Sequence, residues 1–148
     1  MNPVSVKSRQ MKNKLDYIFI GPDKSGSTWI HQVLQWHPEV FVAESKELEF
    51  FDNYYERGLG WYLGYFRDVG ASHKVRGEVC HNYLFSTDAC ERIHHHFPQA
   101  RLLVCLREPV ERAFSAYLYM IKQGRVAGTF EEAIEAIDEL VDHGCYAR

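Results

Sequence analysis

The sequence lacks most of the bulk features that assign a protein to a class. Charge is nearly balanced, at −3 over 148 residues, so no net positive charge is available to hold a nucleic-acid backbone. No apolar run approaches the roughly 18–20 residues of a membrane span. Neither nucleic acid nor membrane is therefore an expected partner. The basic N-terminal stretch, with Lys7, Arg9, Lys12 and Lys14, is followed by no apolar segment, so it does not read as a secretion signal. Residues 1–15 are expected to form a flexible arm. The four cysteines, Cys80, Cys90, Cys105 and Cys145, include no C-x-x-C pair, which favours reduced thiols in a cytoplasmic protein over a disulfide framework. There is no repeat and no low-complexity linker. What remains is a globular domain, 46% hydrophobic and so able to build a core, whose chemistry rests on a few local stretches.

The pattern of those stretches is strand, loop, helix. "YIFI" (residues 17–20) is a short β-rich apolar run broken by Gly21 and Pro22, suited to a strand buried on both faces. A helix follows from Thr28, with Ile30, Val33 and Leu34 on one face, and ends near His37 because Pro38 disfavours helix before it. Further strands are expected at residues 40–43, 75–80 and 101–106, the last as a buried strand. "TDACERIHHHFP" reads as a helix opened by Thr87 or Asp88 and closed before Pro98. In the next helix Pro109 occupies the first turn, where its missing N–H costs little. Val110, Ala113, Phe114, Tyr117, Leu118 and Ile121 form its apolar face and Gly124 its end. Thr129 and Glu132 match a capping box before a stripe of Phe130, Ile134, Ile137 and Val141. The alternation predicts an α/β fold around a central, mainly parallel sheet; the resemblance set out below implies its P-loop-like, three-layer form. One domain, residues 16–148, is expected, with its C-terminal part lacking.

The loop "GPDKSGSTWI" carries the first chemistry. Gly21 and Gly26, with small Ser25, Ser27 and Thr28, let successive N–H groups turn toward one anion, and the following helix adds the positive end of its dipole. Lys24 supplies a mobile point charge. An ordinary capped turn is the alternative. After the strand at 101–106 comes Arg107, placed where ligands sit in open α/β sheets, with Ser115 two helical turns on. Its alternative is a surface arginine paired with Glu108 or Glu111. "ESKELEFFD" sets Glu44, Lys46, Glu47, Glu49 and Asp52 against Phe50 and Phe51. "RGEVCHNYLFS" puts Glu78 at a strand end beside His81, Asn82 and Tyr83. Carboxylates in half-apolar surroundings are candidate bases. The aromatic group from Phe50 to Phe66 reads as core or as the lining of a sugar or polyketide cleft.

Taken in order, these stretches resemble the sulfotransferases that use 3′-phosphoadenosine 5′-phosphosulfate (PAPS), in the heparan-sulfate-type and bacterial carbohydrate branch. "GPDKSGSTWI" is similar to that family's 5′-phosphosulfate loop, where the lysine precedes the glycine, and "LLVCLREPVERAFSAYLY" to its 3′-phosphate motif. "SKELEFFD" with "GLGWYLGYF", and "GEVCHNYLFS", resemble its "KE-x-x-FF" and "EK-x-x-x-Y" segments. The likeness runs from about residue 16 to residue 148.

The resemblance implies in-line sulfuryl transfer to the hydroxyl of a saccharide or a small-molecule or polyketide alcohol, without a metal. Lys24 would stabilise the leaving group. Ser25, Gly26, Ser27, Thr28 and Trp29 would cradle the 5′-phosphate, and Arg107 and Ser115 would hold the 3′-phosphate, with adenosine 3′,5′-bisphosphate (PAP) as product. Glu47 or Glu78 would be the base, Glu47 being favoured, and Lys46, Glu49 and Asp52 would face the acceptor. Two departures stand out: Val79 replaces a frequent lysine, and Glu49 a histidine of some relatives. Both remove positive charge, which disfavours a highly sulfated acceptor. A later glycine-rich segment of the family is not present.

Three rivals are weighed. A P-loop kinase or NTPase needs G-K-[ST] and a strand-ending aspartate for Mg²⁺, whereas Ser27 follows Gly26. A metal module built on His81, His94, His95 and His96 is disfavoured because adjacent helical residues do not share a face. A degenerate, non-catalytic nucleotide binder is the third.

Overall fold

The computed structural model describes residues 14–136 and 138. The expected arm up to residue 13, Cys145 and the outer stripe positions Ile137 and Val141 lie outside them. The chain divides into two compact units, the first ending at Cys105 and the second beginning at Leu106.

The first unit is built on four parallel strands: β1 (Tyr17–Gly21), β2 (Val40–Val42), β3 (Val75–Val79) and β4 (Arg101–Val104), in the order β2-β3-β1-β4. Between them run α1 (Ser27–Trp36), the short α2 (Leu59–Leu63) and α3 (Thr87–His96). Successive residues of β1 serve opposite faces, as strand geometry requires. Ile18 packs into a cluster with Phe50, Phe51, Tyr62, Ile93 and Phe97, while Phe19 joins Val42, Val79 and the α1 residues Ile30 and Leu34. Around β1, β2 and β3 the sheet is thus covered on both faces, the expected three layers. Gly77 faces Tyr17 in the register, and a Cβ there would collide with the Tyr17 carbonyl oxygen.

The expected arm is shorter than the sequence pattern implied. Leu15 is core, and the Lys14 carbonyl accepts from Arg76 Nε. The N-cap of α3 is Ser86, not Thr87 or Asp88. Ser86 is extended and its Oγ accepts from the Ala89 N–H at 3.1 Å, which places both predicted caps inside the first turn.

β4 corrects a second expectation. It ends at Val104, and Leu102, Leu103 and Val104 are all exposed, because the described sheet stops at this strand. An apolar run records an affinity for cover, not the presence of it.

The second unit holds α4 (Pro109–Lys122) and α5 (Phe130–Ala136). Pro109 lies in the first turn of α4 behind an N-cap on Glu108. The buried residues of α4 are Arg112, Ala113, Ala116 and Met120, the last two packed with Ala133, whereas the predicted Val110, Phe114, Leu118 and Ile121 are exposed. The capping box is formed: Thr129 N–H donates to Glu132 Oε2 at 2.9 Å, and Glu132 N–H to Thr129 Oγ1 at 3.3 Å.

Candidate active site

The carboxyl ends of β1, β2 and β3 lie together, and three segments leave them. The first is the loop between β1 and α1. Gly21 has φ 117° and its α-carbon lies against the His81 carbonyl, where any side chain would collide. Gly26 is the N-cap of α1 at φ 90°, with no side-chain cap and no acidic residue in the first turn. The helix therefore presents its N-terminal dipole uncapped, in the manner of an anion site. A Cβ on Gly26 would meet nothing within 4 Å, so the space before the helix is open. Ser25 and Ser27 are buried, while Gly26, Thr28 and Trp29 are exposed. Ser25 Oγ donates to the Pro22 carbonyl at 2.6 Å and so braces the loop itself.

The second segment follows β2 and carries Lys46 and Glu47. It is anchored from below: Ala43, Leu48, Phe50 and Phe51 are core. The Glu47 N–H donates to the Val79 carbonyl at 3.1 Å, and the buried His31 of α1 contacts the Ala43 carbonyl through Nε2 at 2.8 Å. On that anchor Lys46 reaches back to the loop. Its Nζ lies 3.0 Å from Ser27 Oγ, 3.1 Å from Thr28 Oγ1 and 3.0 Å from Glu47 Oε1. The two hydroxyls accept from Lys46 and keep their own protons for donation. Lys46, expected on the acceptor side, is thus bonded to the loop.

Lys24 shares this environment. Partial burial pushes its ammonium below the ordinary lysine range; Asp23 opposes the shift and the Lys46 charge adds to it. Two lysines close enough to repel, beside an uncapped helix N-terminus, give this region a positive character that suits an anion.

The third segment leaves β3 with Cys80, His81 and Asn82. The His81 N–H donates to Glu47 Oε2 at 2.8 Å, and His81 Nδ1 lies 2.7 Å from Glu47 Oε1. Partial burial alone would raise the Glu47 carboxyl. The hydrogen bonds and charge of His81, with Lys46, outweigh it and hold the group down at about 2. Asn82 Nδ2 donates to Glu49 Oε1 at 2.8 Å, and Asn53 Nδ2 to Glu49 Oε2 at 2.9 Å. Asp52 is raised by partial burial and accepts from the Asn53 N–H at 2.7 Å. Lys24, Glu47 and Glu49 all have left-handed backbones, at φ 57°, 54° and 51°. Such conformations cost a non-glycine residue about 1–3 kcal/mol and gather at functional sites.

Glu78, the other candidate base, is elsewhere in character. It is 0% exposed, on the face of β3 that meets the aromatic core, and accepts from the Tyr62 hydroxyl at 2.7 Å. Burial pushes its carboxyl up to about 8, against the pull of that hydrogen bond. Val79 is 1% exposed and packs on Phe19 and Val42. The missing lysine there therefore bears on the core and not on an acceptor surface. Of the aromatic group, Phe50, Phe51, Tyr62 and Phe66 are core, whereas Tyr54 and Tyr65 are exposed.

In the second unit, Arg107 Nε lies 3.2 Å from Glu111 Oε2, one of the two pairings foreseen for it, and Ser115 is half-buried on α4. Sequence reading had missed the joining of Glu47 to His81, which are 34 residues apart, and of Lys46 to the loop hydroxyls. No local signal marks either pair.

An uncapped βα loop with Lys24 and Lys46 beside it, next to a carboxylate at the carboxyl edge of a parallel sheet, is an arrangement of an α/β protein that suits an anionic group. The comparisons place it within that class. The family described as "Sulfotransferase domain" matches residues 14–147, and the chain belongs to this family. It is 33% identical over 109 residues to the membrane-associated sulfotransferase kil1 of Dictyostelium discoideum, covering 72% of this chain and 23% of that protein. It is 35% identical over 100 residues to heparan sulfate glucosamine 3-O-sulfotransferase 6 of Mus musculus, covering 68% and 29%. A sulfotransferase structure from Alicyclobacillus acidocaldarius superimposes with a TM-score of 0.75 at 25% identity, covering 88% of this chain and 60% of that one. The chain thus spans about a quarter of the length of these curated relatives. None of these matches supports the kinase reading. Among the described residues, no helix is long and apolar enough to cross a membrane, and no group of histidine, cysteine or acidic side chains is arranged to hold a metal.

Proposed function

We propose that the protein transfers a sulfuryl group from PAPS to an acceptor hydroxyl. The observation that carries this reading is Lys46, bonded at once to Ser27, Thr28 and Glu47. It joins an anion-holding loop to a carboxylate, which donor and acceptor chemistry each require. On this reading the loop from Ser25 to Trp29 holds the 5′-phosphate, and Lys24 and Lys46 neutralise charge growing on its leaving oxygen. Glu47 serves acceptor activation, because its side chain is 23% exposed beside the loop, while Glu78 is sealed in the core. Arg107 and Ser115 are assigned to the 3′-phosphate on the motif resemblance alone.

The acceptor is a saccharide or a small alcohol. Relatives named for heparan sulfate glucosamine favour an amino sugar. Glu49 and Asp52 supply carboxylates where a polysulfated chain would need cations, which favours an acceptor of low charge. The free thiols Cys80, Cys90 and Cys105 support a cytoplasmic location.

Thermal shift of the full-length protein with PAP, AMP and ATP tests the donor. PAP is expected to raise the melting temperature most, and Arg107→Ala to abolish its advantage over AMP. Equal shifts with all three nucleotides would sink the 3′-phosphate assignment. Transfer from radiolabelled PAPS to saccharides, phenols and hydroxylated lipids or polyketides then identifies the acceptor class.

A further inference from the structure

The amino-terminal edge of the sheet, opposite the anion loop, holds a second concentration of positive charge. A cavity of about 960 Å³ opens there between the residues that enter β1 and β3 and the stretch around and after α2. That size suits a small organic ligand. Lys14, Arg67, His73, Lys74 and Arg76 line it, with Asp16 as the one acid among its lining residues. Lys74 is paired with Glu39, and Asp16 is already engaged by Lys14 and by the Arg76 N–H at 3.1 Å. The two arginines are left over. Arg76 is 7% exposed. Its Nε donates to the Lys14 carbonyl, but Nη2 is buried without a partner among the described residues, and none of them bonds Nη1. Burial pulls this guanidinium below the ordinary arginine range, and Asp16 opposes the shift. A guanidinium cannot escape the cost by losing its proton. Arg67 is exposed, its Nη2 3.5 Å from where a Cβ on Gly64 would stand, and among the described residues nothing accepts from it. His73 Nδ1 accepts from the Gly70 N–H at 2.9 Å, which leaves Nε2 of the neutral ring as a further donor. The sequence leading into the cavity brings no counter-ion: residues 1–13 include Lys7, Arg9 and Lys12 and no aspartate or glutamate.

We propose that this cavity is a second anion-binding site, in which Arg67 and Arg76 hold the oxyanion group of a small ligand whose apolar body rests on Leu63, Phe66 and Val69. The oxyanion is a sulfate ester, a phosphate ester or a carboxylate, the groups that an arginine fork meets with paired hydrogen bonds. Such a group supplies what the protein withholds from Arg76, an acceptor for donors already taken out of water. Leu63, Phe66 and Val69 line the same cavity and give it an apolar wall. The site stands a strand's length from the anion loop, about 15 Å at about 3.3 Å per residue. Its ligand therefore takes no part in bond making at the loop, and the proposal does not depend on the sulfuryl-transfer reading.

The test is an NMR titration of the full-length protein with isotope-labelled arginine. Phenyl sulfate, phenyl phosphate and benzoate are the probes, and phenol is the uncharged control. At least one anion is expected to move the Arg67 and Arg76 side-chain resonances to saturation, while phenol leaves them in place. The tightest binder names the oxyanion. Arg67→Gln, at an exposed position, is expected to weaken that anion about 10–100-fold through loss of a charge-assisted pair. Lys24→Ala, at the other edge of the sheet, is expected to leave its affinity within about twofold. Arg67→Glu supplies a counter-ion from the chain itself. It is expected to melt above wild type in anion-free buffer and to gain nothing further when the anion is added. No response of Arg76 to any of the three anions overturns the proposal. A response that survives Arg67→Gln unchanged, or that disappears with Lys24→Ala, overturns it as well. So does an Arg67→Glu protein that gains as much stability from the anion as wild type.

Discussion

Two carboxylates on adjoining segments of one sheet show how place decides chemistry. Glu47 stands in a polar corner, gripped by Lys46 and His81, and is held down at about 2. Glu78 faces Tyr62 inside an aromatic core and is pushed up to about 8. Partial burial works on Glu47 in the same direction, but cationic and N–H partners overcome it. Around Glu78 a phenol is the bonded partner, and burial wins. One group is therefore a charged element of the site at neutral pH, and the other is a mostly neutral element of the core.

The substitutions that would break this contrast begin with Glu47→Gln. The carboxylate that engages Lys46 and His81 becomes neutral at constant size, and turnover is expected to fall about 10²–10⁴-fold in a steady-state sulfuryl-transfer assay. PAP binding, read by thermal shift, is expected to persist. Lys46→Ala is next. It removes a donor from Ser27 and Thr28 and a cation from Glu47, and a loss of about 10²–10³ in kcat is expected, the scale of one transition-state donor. Unlike Glu47→Gln, it should also weaken PAP binding.

On the other side of the comparison, Tyr62→Phe leaves a buried carboxyl without its donor. It is expected to destabilise the fold by about 1–3 kcal/mol, measured by denaturant unfolding, with little effect on kcat once folded. The smallest effect is Glu78→Gln, which sharpens the contrast through pH. A carboxyl raised from 4.5 to about 8 stabilises the fold fully below the lower value and loses that contribution as pH rises through the upper one. Glu47, lowered from 4.5 to about 2, does the reverse: its contribution is complete above the first value and is lost as pH falls through the second. Melting temperatures of Glu78→Gln relative to wild type are thus expected to improve steadily as pH rises from 4.5 to about 8. A constant difference across that window would show that Glu78 does not titrate there.

What the sequence disclosed follows from the range of the interactions involved. β1, the loop and α1 were legible because a β-rich run, Gly21, Gly26 and a helical stripe are local signals. The capping box at Thr129 was legible for the same reason. β4 and α4 were read correctly as elements, but their burial was not, since Leu102, Phe114 and Leu118 are apolar without being covered. Both glutamates were visible as candidates. Their environments were not, because Glu78 depends on Tyr62, 16 residues away, and Glu47 on His81, 34 residues away. Composition could not say which aromatics formed the core. Within the stretch from Phe50 to Phe66 the buried ones are Phe50, Phe51, Tyr62 and Phe66, whereas Tyr54 and Tyr65 are exposed.

The most direct test places the two carboxylates in one assay. Transfer from radiolabelled PAPS to a glucosamine-containing oligosaccharide is measured for wild type, Glu47→Gln and Glu78→Gln, each first shown to bind PAP. Transfer by wild type and Glu78→Gln, with Glu47→Gln reduced at least a hundredfold, is the result predicted. An active Glu47→Gln beside an inactive Glu78→Gln would contradict the account.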